Sequence, residues 1–359
     1  LTHNHLETLA TRTFHNFHEL TNVALDHNRI QMVESLTFDH LPKLTHIGLA
    51  HNRIEKLEEK SFRWLPNLVE LDLHANRLRQ FFWDAVSNCT NPSVPAKLNI
   101  SDNLIGELSA SDEVHPLSFY FSVIDASHNL LGSFPAREFF VALAPKSLHR
   151  LILHHNRIDS LEDGALALGC RSLQLLDLSH NRIKDIGRDA FYGATRIQIL
   201  LLSNNSVDQL PGGTFANLRK LRVVDLSANR LRTLPSDVFA GTAVEALNLA
   251  HNQLISMPSG CLSSVSATLA DLDLSYNEIE HLDAVVLSTV PHLVSLNLAH
   301  NRLTLLPDNL FSHLNSLLTL DLSFNLIRAN FKELFHELQH VKKLNLAGVG
   351  LGKWPSMPL

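Results

Sequence analysis

An asparagine that returns every 23 to 27 residues is the feature that most constrains what this chain can fold into. A period in this range is typical of a solenoid, in which each unit buries its apolar face only against its neighbours. We therefore predict a single domain over residues 1–359, with about 14 repeats of about 24 residues and a final strand. After Asn4, the recurring residues are Asn28, Asn52, Asn76, Asn103, Asn129, Asn156, Asn181, Asn205, Asn229, Asn252, Asn277, Asn301 and Asn325.

Residues 41–64 illustrate what one repeat encodes. They fit the template L-x-x-L-x-L-x-x-N-x-L, and its L-x-L part alternates with period two, as in a strand with one buried face. The asparagine both donates and accepts, so it can satisfy backbone groups of a tight turn that no sheet partner reaches. We predict that these amides stack into a buried ladder. The polar residues before them, such as Ser179, are expected to face solvent.

The second half of each repeat carries a phenylalanine within F-x-x-L-x-x-L, a spacing typical of a short helix or 3-10 turn. A helix is wider than a strand, so we predict that this side is convex and that the strands line a concave face. The phenylalanines are Phe14, Phe38, Phe62, Phe139, Phe191, Phe215, Phe239, Phe311 and Phe335, and Leu166, Leu262 and Leu287 replace them in three repeats.

The pattern, including LDLSHNRI at 176–183, LNLAHNRL at 296–303 and LNLAGVGLGKWPSMPL at 344–359, resembles the leucine-rich repeats of extracellular adhesion and receptor proteins. The resemblance implies an α/β solenoid: a leucine-rich repeat horseshoe with a parallel concave β-sheet and convex short helices or 3-10 turns. It also implies protein binding, with cell adhesion favoured, at an extracellular or plasma-membrane location. The alternatives are a ligand-binding receptor ectodomain and an intracellular scaffold. Because cysteine-rich caps are absent, we expect a fragment of a longer chain, with any signal or lipid anchor outside this sequence.

Composition excludes several other classes. The net charge of −6 provides no electrostatic footprint for nucleic acid, and no run of 18 apolar residues predicts a membrane span. Membrane association is therefore expected only through parts outside this sequence. Cys89, Cys170 and Cys261 lie three or four repeats apart, too far for a disulfide between adjacent coils, so we predict free buried thiols.

The tripeptide His-Asn-Arg recurs at residues 27, 51, 155, 180 and 300, which argues for a structural repeat and against an active site. A solvated surface is the favoured interpretation of these histidines. Metal binding where repeats adjoin, at His128, His155 and His180 or at His27 and His51, is an alternative, and pH sensing is another.

Residues 336–340 read HELQH, formally the zinc-protease motif H-E-x-x-H. The repeat explains their apolar neighbours Phe335, Leu338 and Val341, so we interpret the His and Glu as variable positions of a repeat. We predict that the chain is not an enzyme and has no catalytic residue, cofactor or metal.

The middle exposed position of the strands alternates between aspartate and a neutral residue over twelve repeats. Carboxylates on adjacent strands, about 4.8 Å apart, repel by about 0.9 kcal/mol even in water, which favours the alternation. We predict an acidic stripe that could bind a cation or a basic partner. It comprises Asp72, Asp125, Asp177, Asp225, Asp273 and Asp321.

An apolar patch interrupts this stripe and is the predicted site for a protein partner, another copy of the chain included. Its alternative is a tightly packed stretch of sheet whose side chains cover one another. The patch comprises Ile152, Leu175, Ile199, Leu201 and Val223, with Arg150 at its border.

Three sequons begin at Asn88, Asn99 and Asn204. Asn88 is the strongest candidate for N-glycosylation because the repeat lengthens to 27 residues there, which predicts an exposed loop. A glycan on Asn99 would stand on the concave sheet, where space is limited.

Overall fold

The computed structural model describes residues 1–87, 89, 91–109, 119–143, 147–167, 170–307, 309–328 and 336–350. The chain forms two compact units. The first unit contains Leu1–Arg182 with Tyr192–Thr195, and the second contains Ile183–Phe191 with Arg196–Leu359. Each unit is a stack of coils wound around parallel strands, so the predicted parallel-strand solenoid is confirmed. That residues 1–359 form a single domain stays a prediction.

Short strands, one per coil, form the main run of each unit within the described residues. In the first unit they are Asn22–Ala24, His46–Gly48, Glu70–Asp72, Ala96–Asn99, Phe121–Asp125, Arg150–Ile152 and Leu175–Asp177. In the second unit they are Ile199–Leu201, Val223–Asp225, Ala246–Asn248, Asp271–Asp273, Ser295–Asn297, Thr319–Asp321 and Lys343–Asn345. Neighbouring strands pair in parallel, and equivalent repeat positions lie side by side, as Leu272 does beside Leu296. The register shifts once in the first unit, between Ala96 and Lys97.

The return side of the coils consists mostly of turns, with a few short elements. The described helices are the α-helices Arg137–Val141 and Ala284–Ser288 and the 3-10 helices Trp83–Ala85 and Ser263–Val265. Further short strands are Met32–Val33, Phe38–Asp39, Lys56–Leu57, Phe62–Arg63, Gln80–Phe82, Val86–Ser87, Glu107–Ser109, Ser160–Leu161 and Asp185–Ile186. The described helices agree with the predicted short helices and 3-10 turns, whereas most other described coils return through turns or short strands. No described helix has the length and apolar character needed to cross a membrane.

The buried asparagine side chains of the ladder bond to the backbone of neighbouring coils. Nδ2 of Asn277 donates to the carbonyls of Leu249, at 2.9 Å, and Leu274, at 3.0 Å. Its Oδ1 accepts the N–H of Leu254 at 3.0 Å. Leu249 and Leu254 belong to the preceding coil and Leu274 to the same coil, so one amide joins two coils. Equivalent bonds occur in the first unit, for example at Asn52.

The phenylalanines of the return side point into the core and stack from coil to coil. Ring centroids lie 4.9 Å apart between Phe14 and Phe38 and 5.3 Å apart between Phe38 and Phe62. In the second unit, Phe215 lies 5.7 Å from Phe191 and 5.9 Å from Phe239. Phe139 and Phe311 are buried as well, as are the leucines that replace phenylalanine, whereas Phe335 lies outside the described residues.

The three thiols are buried, Cys89 and Cys170 in the first unit and Cys261 in the second. Cys89, Cys170 and Cys261 are unpaired. Burial raises the pKa of Cys89 to about 12 and that of Cys261 to about 11, so neither thiol is ionised at neutral pH.

Candidate functional site

The exposed side of the main strands, called here the strand face, is described for each unit separately. In a typical strand the middle residue is buried and its two neighbours are half-buried, as in Ser295–Asn297. The outward residue before the buried one forms a first column, and the outward residue after it forms a second column. These columns hold the predicted acidic stripe and the predicted apolar patch.

The second column contains the aspartates of the predicted acidic stripe, all half-buried. Each carboxylate bonds to the backbone at the end of its own strand. Oδ1 of Asp177 accepts the N–H of Ser179 at 3.0 Å and its hydroxyl at 2.7 Å. Asp321 holds Ser323 in the same way, at 2.8 and 2.6 Å. The expectation that Ser179 faces solvent is therefore wrong: the serine is buried beneath the aspartate that it contacts.

Two asparagines that hold neutral positions beside the aspartates contribute bonds as well as spacing. Nδ2 of Asn297 donates to Oδ2 of Asp273 at 3.1 Å, and Nδ2 of Asn345 donates to Oδ2 of Asp321 at 2.8 Å. Both oxygens of Asp273 and Asp321 thus have partners inside the protein. The alternation therefore relieves repulsion and also adds a hydrogen bond between adjacent strands.

In the first unit, an aspartate of one coil makes a hydrogen bond that the next coil's own second-column residue cannot make, and the sequence pattern does not reveal this. Gly48 occupies the second column, so its coil has no side chain there to hold the N–H of Ala50. Asp26, on the coil before, accepts that N–H at 2.9 Å. A Cβ added at Gly48 would lie 2.7 Å from Oδ2 of Asp26, so the glycine leaves room for the neighbouring carboxylate.

The predicted apolar patch divides between the two units. In the first unit, Ile152 and Leu175 are half-buried and Arg150 is exposed, with Arg150 paired in register to Leu175. In the second unit Ile199, Leu201 and Val223 are half-buried, and Ile199 pairs in register with Val223. Each unit therefore presents apolar side chains side by side on neighbouring strands.

A shallow depression of about 490 Å³ lies on the strand face of the second unit. Leu201 and Val223 line one part of it. Among its other lining residues are four acidic ones, Asp225, Asp271, Asp273 and Asp321. A ligand that filled this depression would meet apolar surface beside negative charge.

The histidines of the recurring tripeptide have a backbone role. The residue before each recurring asparagine, from His3 to Phe324, has a φ of 52° to 56°, the left-handed region. Histidine, asparagine and aspartate enter this region more readily than most residues, and no β-branched residue occupies the position. The histidine thus makes the turn that leads into the asparagine.

These histidines also stack across coils. The ring centroids of His27 lie 4.5 Å from those of His3 and His51, and those of His155 lie 4.3 Å from His128 and 4.2 Å from His180. The rings are nearly parallel, at 7° to 14°, and imidazole coordinates in its own plane. Stacked neighbours therefore do not direct their lone pairs at a shared point, which disfavours an ion bridging the column alone.

Two of the stacked histidines are biased toward the neutral form. Burial, then the charges of His180 and His128, lower the pKa of His155. Burial and the neighbouring His3 and His51 lower the pKa of His27. Protonating either ring would place a positive charge within a stack of imidazoles.

The remaining sequence candidates are the sequons and the HELQH segment. Asn88 is outside the described residues, Asn99 is half-buried and accepts the hydroxyl of Ser101 at 2.8 Å, and Asn204 is exposed. In HELQH, Glu337 accepts the N–H of Phe311 at 3.2 Å, a structural bond between coils.

Sequence reasoning missed His74 and His154, which lie two residues before a recurring asparagine. His74 Nε2 lies 3.2 Å from His51 Nε2, and His154 Nδ1 lies 2.9 Å from His155 Nδ1. The available signal in the sequence was a histidine at a position that serine or alanine holds in most other coils.

Parallel strands, an asparagine ladder and one coil per 23 to 27 residues define a class of solenoid proteins. A family model described as leucine rich repeat matches residues 18–78, 146–207, 195–254, 242–303 and 291–349. The chain belongs to the leucine-rich repeat family. No curated protein matches the sequence.

Solved structures with the same fold come from a bacterium and from an insect. A leucine-rich repeat protein of Leptospira interrogans superposes with a TM-score of 0.74 at 26% identity, covering 97% of this chain and 83% of that one. A chain of the Toll–Spatzle complex of Drosophila has a TM-score of 0.60 at 22% identity, over 95% of this chain and 41% of that one. Its glycosylated form gives a TM-score of 0.70. At this identity the Toll–Spatzle likeness shows the fold alone.

Proposed function

We propose that this chain is the protein-binding part of an extracellular or cell-surface leucine-rich repeat protein, and that its strand face holds the partner. The repeat family is a scaffold for binding proteins, and repeated coils provide an extended surface without a catalytic pocket. The proposal therefore assigns no enzymatic activity to the chain.

The observation that carries the proposal is the type of residue on the strand face of the second unit. Leu200 points into the core and is fully buried, whereas its neighbours Ile199 and Leu201 are half-buried on the outer side. Core packing does not require leucine or isoleucine at these outward positions, since most other coils carry polar or small residues there. Apolar side chains that retain exposure on a sheet are typical of a surface that a partner covers.

The charges around the patch indicate the chemistry of that partner. Asp225, Asp273 and Asp321 line the same depression as Leu201. We infer a partner surface that places apolar side chains against Leu201 and Val223 and basic side chains beside the aspartates. Part of the acidic charge is already used by internal bonds, so apolar contact contributes most of the affinity.

Cell adhesion is the finer function that we favour, with the partner another copy of the chain. The strand and turn phrases resemble those of chaoptin, an arthropod cell-surface adhesion protein. Two other functions remain in view: a receptor ectodomain of Toll-like or slit-like type, and an intracellular scaffold. The receptor alternative rests on the repeat fold, which this chain shares with a chain of the Toll–Spatzle complex.

The test is adhesion of cells that display the chain through a membrane anchor. Leu201→Asn restores the neutral polar residue found at this position in other coils, so we expect the fold to persist. Losing one apolar contact at the centre of an interface should weaken adhesion about tenfold, or about 1.4 kcal/mol. Leu326→Asn is the matched control, because Leu326 is 69% exposed and lies outside the strand face.

Mixing labelled displaying cells with unlabelled bare cells separates the alternatives. Mixed aggregates would indicate a different surface partner, and aggregates of displaying cells alone would indicate self-binding. If Leu201→Asn and Ile199→Asn together leave adhesion undiminished, or Leu326→Asn weakens it equally, the strand face is not the site.

A further inference from the structure

Histidine at the second residue before a recurring asparagine is confined to two coils. That position is held by serine, alanine, threonine or aspartate in the other coils, and by His74 and His154 in these two. In both cases a ring nitrogen of the added histidine contacts a ring nitrogen of a stacked histidine. At His154 a third imidazole, that of His128, lies close to the other two, so this coil brings three possible metal ligands together.

The three rings have an arrangement that the stack alone lacks. His128 and His155 are nearly parallel, with centroids 4.3 Å apart and planes 12° apart. The ring of His154 stands at 90° to His128 and 80° to His155, with its centroid 5.1 Å from each. This perpendicular ring brings its Nδ1 to 2.9 Å from Nδ1 of His155. One ligand nitrogen from each histidine lies within 4.8 Å of the other two.

These separations suit a small metal ion. Imidazole binds such an ion at about 2.0–2.1 Å, so two nitrogens on one ion at angles of about 90° to 110° lie about 2.9 to 3.4 Å apart. The Nδ1 atoms of His154 and His155 already meet this requirement. His128 is exposed, so a rotation of its side chain can bring the third nitrogen closer without repacking the core.

The protonation states also suit a metal. A ligating imidazole must be neutral, and burial together with His180 and His128 lowers the pKa of His155. The two Nδ1 atoms lie at hydrogen-bond distance, so one neutral ring can donate to the other in the free protein. Binding of both Nδ1 atoms to one ion would require the donating ring to carry its proton on Nε2 instead, a change of tautomer that leaves the charge unchanged.

We propose that His128, His154 and His155 form a binding site for a divalent transition-metal ion of the Zn²⁺ or Cu²⁺ class. Imidazole ligands suit these ions and do not suit Ca²⁺ or Mg²⁺, which prefer oxygen. Three exposed or half-buried ligands leave the remaining coordination positions to water or to a side chain from another molecule.

Titration of Zn²⁺ alone into the chelator-stripped full chain tests this, with stoichiometry read by native mass spectrometry and affinity by calorimetry. We expect one tightly bound Zn²⁺ per chain. His154→Ser introduces the residue that most other coils carry there, so it should fold, and it should weaken binding by at least about tenfold. His74→Ser is the matched control, because it makes the same change at a histidine that contacts His51 and Asp72 and is not part of the group of three imidazoles, so it should leave the tight site intact.

Absence of a tight one-to-one complex would overturn the proposal, as would equal Zn²⁺ affinity of the wild type and His154→Ser. X-ray absorption of the Zn²⁺ complex gives a readout that does not depend on any variant. Three imidazole ligands are expected, and a spectrum with one or none would assign the ion elsewhere.

Discussion

Replacing Asn277 by alanine removes one amide of the ladder, and its cost can be worked out bond by bond. The three carbonyls that it serves keep another donor: Leu249 also accepts from Asn252, Leu274 also accepts from Asn301, and Ser275 also accepts the N–H of His251. The N–H of Leu254 has no such second partner, because its bond is to Oδ1 of Asn277.

The main loss is therefore one buried, unsatisfied N–H, which costs about 1–3 kcal/mol. We expect Asn277→Ala to lower the urea midpoint by an amount that corresponds to this range. The amide of Leu254 should also exchange with deuterium faster than in the wild type, because it has lost its acceptor.

Asn4→Ala is the matched control. Asn4 occupies the same repeat position, but it is exposed and its Nδ2 donates only to the nearby carbonyls of Leu1 and Thr2, both at 3.1 Å. We expect a change within about 0.5 kcal/mol for this variant. Equal urea midpoints for the two variants, or unchanged exchange of the Leu254 amide, would show that the unsatisfied N–H of Leu254 is not the source of the lost stability.

Two further predictions concern the strand face and the location of the protein. Gly48→Ala should destabilise the first unit, because the new Cβ would lie 2.7 Å from Oδ2 of Asp26. The loss of stability should be smaller when Asp26 is also changed to alanine. Additive free energies of unfolding in this double-mutant cycle would contradict the coupling between Asp26 and Gly48. Secretion from animal cells should place a glycan on the exposed Asn204 and none on the half-buried Asn99, and peptide mass spectrometry that found Asn204 bare would weaken the extracellular assignment.

The repeat could be recognised from sequence because its defining residues are invariant in position and simple in physical role. An L-x-L alternation fixes which side chains point inward, and the asparagine has few alternatives as a donor and acceptor in a buried turn. Pairing of equivalent residues, such as Leu272 with Leu296, follows once coils of nearly equal length are stacked.

Other features depend on contacts between coils, which spacing alone does not specify. Ser179 looks like a surface residue until the aspartate before it is seen to cover it. The exchange between Asp26 and Gly48 crosses from one coil to the next. The approach of His154 to His155 depends on the orientation of two rings, and no sequence period encodes that orientation.

The ladder bonds have a direction along the chain, and this bears on how such proteins lengthen. Asn277 bonds to its own coil and to the coil before it, and Asn301 in turn bonds back to the coil of Asn277. A gene duplication could insert one further coil between the coils of Asn277 and Asn301. The asparagine of the new coil would accept an N–H of the preceding coil, and an N–H of the new coil would bond to the asparagine of the following coil. Growth by tandem copying then needs no new interaction, which makes the length of the array free to drift while the residues on the strand face diverge.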